Sequence, residues 1–428
     1  MIKTAIVVTA KLLERIVYLL AGWLVIIPLT YLIPKDNKLI LFKGTSNNVK
    51  YLFFHACRQP AADGAKLYFM TRNKQLSGQF KKYGLPVLEY PSLHSFWKMF
   101  RAGTYIVDNH ISPLNYYIFY RIHKVQLWHG IVVKKVGPSS IKGLKKLPPS
   151  WLKTLGMKLV FYPTYDAFIS NSEFCTREIF GPTIKARRFL DYGYPRNDVL
   201  FGKPSVAEPL WGTDEISNQR IESFKAKGGQ VVLFSPTWRD TGGELISDQA
   251  VDLAGLNAFG AAHNILFVFK FHPSTRSGAV ITDYSHCMEY IKGRDIYPVM
   301  SLIDLMITDY SSIYLDYLLL KKPLVFFPYD YQKYTEKDRD LIVDYEWFTP
   351  GPKCYTQPEL EAAIARLLVE KQDDYTARRQ EILDVACTYQ DGNAAERVWS
   401  FIKEQARLDS PRPVTTGRLT VRGREEHA

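Results

Sequence analysis

The chain has 428 residues and a formal net charge of +12, which is long enough for two domains with separate cores. Its hydrophobic share of 46% and charged share of 23% exclude a disordered or fibrous chain, and the positive balance points to anionic partners: nucleic acid, anionic lipid or a phosphorylated substrate. Cys57, Cys175, Cys287, Cys354 and Cys387 lie far apart with no CxxC pair. They argue for reduced thiols and against a disulfide framework or a zinc site.

Residues 1–36 read as a hydrophobic, membrane-associating segment. No charged residue occurs from Ile16 to Ile33, near the lower limit for crossing a bilayer, and Pro28 interrupts the run. No small-residue cleavage site precedes that proline, which argues against a cleaved signal peptide. A signal anchor, an in-plane or re-entrant membrane helix and a buried helix of the first domain all remain open.

Short apolar strands then alternate with helical stretches. Strands are expected at Leu39–Phe42, Lys66–Met70, Pro86–Glu89, Thr104–Val107, Val125–Trp128, Phe168–Ser170 and Phe189–Tyr192, with a helix from Asn47 to Ala56. This is the pattern of an α/β domain with a mainly parallel sheet, here spanning residues 37–202. Lys203–Thr213 reads as a linker. The alternation resumes across residues 214–408 with strands at Val231–Phe234, Leu266–Phe269, Ile296–Pro298, Leu305–Thr308 and Leu324–Phe327. Helices follow at Pro358–Glu370, Tyr375–Ala386 and Ala394–Leu408, and residues 409–428 read as a disordered tail. The fold class is therefore α/β, with two Rossmann-type domains facing across a cleft and ligands expected beyond the carboxyl ends of the strands.

The polar residues at those strand ends carry the chemistry. Trp128-His129-Gly130 places an imidazole, whose ordinary pKa suits proton transfer near neutrality, beside a glycine that permits a tight turn. Lys270-Phe271-His272-Pro273 repeats the arrangement in the second half. Ser235-Pro236-Thr237-Trp238-Arg239-Asp240 ends in an arginine whose fork matches phosphate, although a structural Arg–Asp pair explains it equally. Lys337-Asp338-Arg339-Asp340 carries the same ambiguity. Asp309-Tyr310-Ser311-Ser312 falls where a helix starts, so Ser311 and Ser312 sit where free N–H groups would hold a phosphate; helix capping is the plainer reading. Lys134–Lys158 carries seven lysines and no acid, suiting an anionic membrane surface or a solvated loop. No P-loop, GxGxxG fingerprint, metal-binding helix or nucleic-acid-binding signature is present.

Taken together, WHG, GYPRNDVLF, SPTWRD, KFHP, ITDYSSIYLDYLLLKKP, the KDRD loop with DYEWFTPGP, and DGNAAERV resemble the CDP-glycerol glycerophosphotransferases of teichoic-acid and capsular polymer synthesis. The resemblance covers about Leu39 to Ile402 in family order. It implies a GT-B-like fold, attachment to the cytoplasmic face of the membrane, no cofactor and no metal in the site, and no nucleic-acid partner. It also implies transfer of glycerol phosphate from CDP-glycerol to a hydroxyl of a lipid-linked or polymeric glycan, with release of CMP; CDP-ribitol or another CDP-polyol is the alternative donor. A non-catalytic protein binding an anionic membrane or nucleic acid through its net charge is the alternative of a different class, which the histidine-bearing strand ends disfavour. Under the resemblance, His129 is the base and His272 contacts the pyrophosphate. Ser311 and Ser312 hold phosphate and Arg339 neutralises the transferring group, with Arg239 and Asp309 as further substrate contacts; Lys270, delivered by the same strand end as His272, is a further candidate phosphate donor by position. Ile131 stands where the family often has Thr, which bears on a local hydroxyl contact and not on the histidine. The long amino-terminal region of some polymerases is lacking, so the chain reads as a primase that adds one unit or as a compact polymerase.

Overall fold

The computed structural model describes residues 17–44, 47–59, 64–132, 163–202, 212–239, 245, 250–273, 275, 281, 284–334 and 342–407. The lysine-rich stretch, the KDRD loop with Arg339, most of the linker and the carboxyl tail lie outside the described residues.

The first lobe contains β1 (Asp36–Lys43), β2 (Lys66–Thr71), β3 (Val87–Glu89), β4 (Ala102–Val107), β5 (His123–Gln126), β6 (Thr164–Tyr165), β7 (Ala167–Ile169), β8 (Lys185–Ala186) and β9 (Phe189–Leu190). Seven of these make one sheet in the order β3-β2-β1-β4-β5-β7-β9, and β6 pairs with β8 beside it. Every pairing is parallel. Parallel strands are covered on both faces, which is why the sequence shows continuous apolar runs rather than alternation. On β1, Leu39 and Leu41 enter the core between the lobes, while Ile40 and Phe42 enter a second core on the opposite face.

The second lobe contains β10 (Gln230–Ser235), β11 (Ile265–Phe269), β12 (Cys287–Glu289), β13 (Leu305–Thr308) and β14 (Leu324–Phe326), in the order β12-β11-β10-β13-β14 and again all parallel. Val231 and Leu233 join the core shared with the first lobe; Val232 and Phe234 face away into their own. The lobes therefore meet through one continuous apolar layer.

Three expectations are corrected here. Ile296–Pro298 is not a strand: Tyr297–Met300 is a helical turn, because the Asp295 carboxylate accepts from the Tyr297 N–H at 3.0 Å and Pro298 is tolerated in a first turn, where its missing N–H is not needed. The edge strand is Cys287–Glu289 instead. Trp128 lies beyond the end of β5 with φ +55°. The final helix, Ala394–Arg407, follows the second lobe in the chain but packs on the first. Ala395, Val398, Trp399 and Ile402 fill the core behind β1, and Asp198 of the first lobe accepts from Ala394 N at 2.9 Å and Ala395 N at 2.8 Å. A carboxylate at that helix start satisfies orphan N–H groups and favours the dipole.

Ahead of β1 the chain is helical from residue 17 to residue 32. One face docks on the first lobe: Gly22 lies so close to the Tyr117 ring that a β-carbon there would sit at 2.3 Å. Ile27 and Thr30 are buried, and Arg121 donates to the Thr30 carbonyl at 2.9 Å. The opposite face exposes Val17, Leu20, Leu24, Val25 and Leu32. Among the described residues no helix is long and apolar enough to cross a membrane.

Candidate active site

The first lobe delivers His129 through a strained turn. Trp128 has φ +55° and is 2% exposed, a left-handed conformation that costs a β-carbon-bearing residue about 1–2 kcal/mol. The surroundings hold it there. Its N–H donates to Gln126 Oε1 at 2.9 Å, and its carbonyl accepts from Asn48 Nδ2 at 2.9 Å. The turn buries the indole and swings His129 outward, stacked on Trp128 at a centroid distance of 4.5 Å.

His129 Nδ1 lies 3.1 Å from the Asp108 carbonyl oxygen. A carbonyl only accepts, so Nδ1 carries the proton and Nε2 keeps its lone pair, the tautomer a general base needs. His129 is exposed, yet the protein around it desolvates the ring, and that first, then the Arg196 and His110 charges, lowers the imidazole pKa below its ordinary value against the raising effect of the Asp108 carbonyl.

The second lobe presents the start of the helix Ile313–Tyr317. Asp309 is buried beneath it and does not cap it. Its carboxylate accepts from Thr237 N at 2.9 Å and Tyr310 N at 2.5 Å, tying the loop after β10 to the loop after β13. Arg239 completes this support, donating to both Asp330 oxygens at 2.7 and 2.8 Å and to the Thr237 carbonyl at 2.5 Å, with Asp309 at 2.8 Å. Tyr310 and Tyr334 lie against its guanidinium at 5.1 Å each. Arg239 is 3% exposed. Burial opposes its charge, but Asp309 and Asp330 outweigh that and hold it protonated more firmly than usual. With its fork spent on carboxylates and a carbonyl, the structure places Arg239 under the site as a support rather than in it.

Ser311 and Ser312 are partly exposed at that helix start, and neither hydroxyl has a protein hydrogen bond among the described residues. Across from them lies Gly130, with φ +145°. A β-carbon on Gly130 would come within 3.6 Å of Ser312 Oγ and 3.1 Å of Arg196 Nη2. The WHG turn of one lobe thus abuts the serine helix of the other, and the positive φ at Gly130 favours glycine there.

His272 is exposed at the end of β11, its ring 6.1 Å from the Trp238 indole, at the same carboxyl edge as the serines. Lys270 goes elsewhere. Phe271 is buried, and Lys270 Nζ reaches outward to the Ile291 carbonyl at 3.2 Å beside the Tyr290 ring. Lys270, expected to contact phosphate, is engaged at that carbonyl instead.

Sequence reasoning missed a buried latch joining the lobes. Arg196 donates to the His129 carbonyl at 2.7 Å and to Asp316 Oδ2 of the second lobe. Asp316 also accepts from Asn197 Nδ2 at 2.9 Å and the Tyr297 hydroxyl at 2.6 Å. Beside it, Asp295 takes Lys50 Nζ at 2.6 Å and the Tyr51 hydroxyl at 2.9 Å. The Arg and Asp stood in GYPRND and YLDY, with no local signal that they face each other.

The family described as CDP-glycerol:poly(glycerophosphate) glycerophosphotransferase matches residues 25–404. The teichoic acid poly(glycerol phosphate) polymerase of Bacillus spizizenii is 27% identical over 86% of this chain and 92% of its own length. The teichoic acid glycerol-phosphate transferase of Staphylococcus aureus is 26% identical over 76% and 82%. The teichoic acid ribitol-phosphate primase of Bacillus spizizenii is 28% identical over 72% and 78%. Among solved structures, the wall teichoic acid polymerase TagF superposes with a TM-score of 0.68 at 18% identity, covering 95% of this chain and 98% of that one, and so shows the two-lobed GT-B-like fold.

Proposed function

This chain belongs to the CDP-glycerol:poly(glycerophosphate) glycerophosphotransferase family, and on that premise we propose that it moves a polyol phosphate from a CDP-linked donor to a hydroxyl of a lipid-linked or polymeric acceptor. The observation that carries this reading is the apposition of the His129-Gly130 turn to Ser312, a base on one lobe facing an anion cradle on the other. The donor's diphosphate lies at Ser311 and Ser312 with His272 on its CMP side. His129 Nε2 takes the acceptor hydroxyl's proton while its oxygen attacks the phosphorus that bears the polyol. The phosphoanhydride bond to CMP breaks, and CMP leaves with the bonding pair. Phosphoryl transfer of this kind depends on in-line positioning and charge neutralisation.

Glycerol is the first donor polyol to test, since the family description and two of the relatives carry it; ribitol is the second reading, supported by the similar ribitol-phosphate primase. CMP release is measured with CDP-glycerol and CDP-ribitol against glycerol-phosphate-primed lipid acceptors. Release from CDP-glycerol supports the first reading and release from CDP-ribitol alone the second. No release from either counts against both.

The pH profile follows from His129. Its neutral form is the active one and its pKa lies below 6.5, so the neutral form persists further into acid than for a free imidazole. kcat/KM is expected to hold down through that value and to fall only as pH drops through the lowered pKa. An acid limb centred at about 7 or above contradicts the assignment.

Attachment to a membrane surface is supported by the helix of residues 17–32, docked on one side and apolar on the other. Leu20→Ser with Leu24→Ser removes two of its exposed side chains. Binding to phosphatidylglycerol vesicles is expected to fall by roughly tenfold or more, since each leucine contributes about 1.5–3 kcal/mol when fully buried. CMP release with a soluble acceptor stays intact. Unchanged sedimentation with vesicles would remove the helix as the contact.

A further inference from the structure

We propose that Lys43, Arg72 and Tyr90 form a second anion site, on the acceptor-side lobe, that takes a phosphate group of the acceptor behind its attacking hydroxyl. The proposal deepens the transferase reading and rests on it.

Three neighbouring strands build the site. Lys43 is the last residue of β1, Arg72 follows β2 directly and Tyr90 follows β3, and these strands lie side by side in the sheet. All end at the carboxyl edge that also carries Asp108 and His129. Tyr90 is buried and so presents a fixed ring face. Lys43 Nζ stands 5.1 Å from its centroid and Arg72 Cζ 4.9 Å.

Two cations thus converge on one ring. Among the described residues neither Lys43 nor Arg72 makes an ion pair, whereas Lys50, Lys66, Lys124, Arg196 and Arg239 each do. Nearby Glu89 is engaged by Lys81 and Ser77 on its own side. The carboxylate of Asp108 is fully buried and accepts from Asn109 Nδ2 at 2.9 Å. Lys43 is half-buried, and burial followed by the Arg72 charge weakens its hold on its proton. A ring face offsets little of such a like-charge pair. An anion bridging the ammonium and the guanidinium fork would relieve both desolvation and repulsion.

Position decides which anion. β1 lies two strand spacings from β5, roughly 10 Å, and β2 one spacing further. The site is on the lobe that carries His129, the acceptor side of the proposed reaction, and not on the lobe that carries Ser311 and Ser312. It is placed for a phosphate covalently part of the acceptor, either a phosphodiester of a polyol phosphate chain or the diphosphate of a lipid carrier.

The test is Lys43→Met and Arg72→Gln, singly and together, with CDP-glycerol saturating and the acceptor varied. Acceptor KM is expected to rise about tenfold in each single variant and further in the double, while kcat and the KM for CDP-glycerol stay within about threefold. Two acceptors identify the phosphate: a soluble oligo(glycerol phosphate) and a lipid diphosphate carrying a single glycerol phosphate. The acceptor whose KM moves contains the bound group. An unchanged acceptor KM for both, or an equal rise for CDP-glycerol, overturns the site. Calorimetric binding of oligo(glycerol phosphate) and of the lipid diphosphate to the wild type and the double variant reads the site without turnover. A wild type that binds either one more tightly than the variant but releases no CMP would sink the transferase reading alone, and equal affinities for both would sink the site alone.

Discussion

His129→Ala is expected to lower kcat by about 10²–10⁴-fold, the range for loss of a positioned general base, with CDP-glycerol affinity preserved. The two halves of that expectation come from different parts of the structure. The imidazole is held from behind by the Asp108 carbonyl and by its stack on Trp128, so its free nitrogen is already aimed when the acceptor arrives. Donor contacts belong to the other lobe, where Asp309 and Arg239 brace the loop before Ser311 and Ser312. Loss of the ring at an exposed position leaves that bracing intact and opens no core cavity. Single-turnover CMP release and calorimetric CDP-glycerol binding measure the two quantities separately. Turnover within a few-fold of wild type would remove His129 as the base; a parallel loss of donor affinity would place it in the donor site instead.

The strands were legible because burial on both faces writes them as unbroken apolar runs. Leu39–Phe42 and Leu305–Thr308 needed no long-range information. The histidines and serines were legible as strand-end residues for the same reason: parallel sheets put their ligand-binding groups at that edge. Side-chain direction beyond the strand end was not. Lys270 and Arg239 both read as phosphate ligands from residue type and position, yet one reaches outward to Ile291 and the other is consumed by Asp309 and Asp330. Their partners lie many residues away, and no periodicity links them. The same holds for the last helix, whose apolar face at Val398 and Ile402 fits either lobe by pattern alone. What assigned it to the first lobe was Asp198 meeting its amino end.

The interlobe latch leads to the other large effect. Arg196→Met leaves Asp316 buried without its cation, and breaking such a pair from one side costs about 3–5 kcal/mol, a large share of the roughly 5–15 kcal/mol that holds a domain folded. A lower melting temperature and lower activity are both expected, and alone they would say only that the residue is structural. The double variant Arg196→Met with Asp316→Asn separates the roles. Asparagine retains an acceptor for the Tyr297 hydroxyl or Asn197 amide and removes the stranded charge, so most of the melting temperature returns. The hydrogen bond from Arg196 to the His129 carbonyl does not return. His129 then loses the link that ties its backbone to the second lobe, and a misplacement on the order of 1 Å is worth up to about 10²-fold in rate. We expect kcat in the double variant to stay about 10–100-fold down with KM for CDP-glycerol near wild type. In a His129→Ala background the same pair of changes should cost nothing further, because the residue Arg196 positions is already gone. Recovery of kcat together with stability, or an additional loss without His129, would make the latch a support for the fold and nothing more.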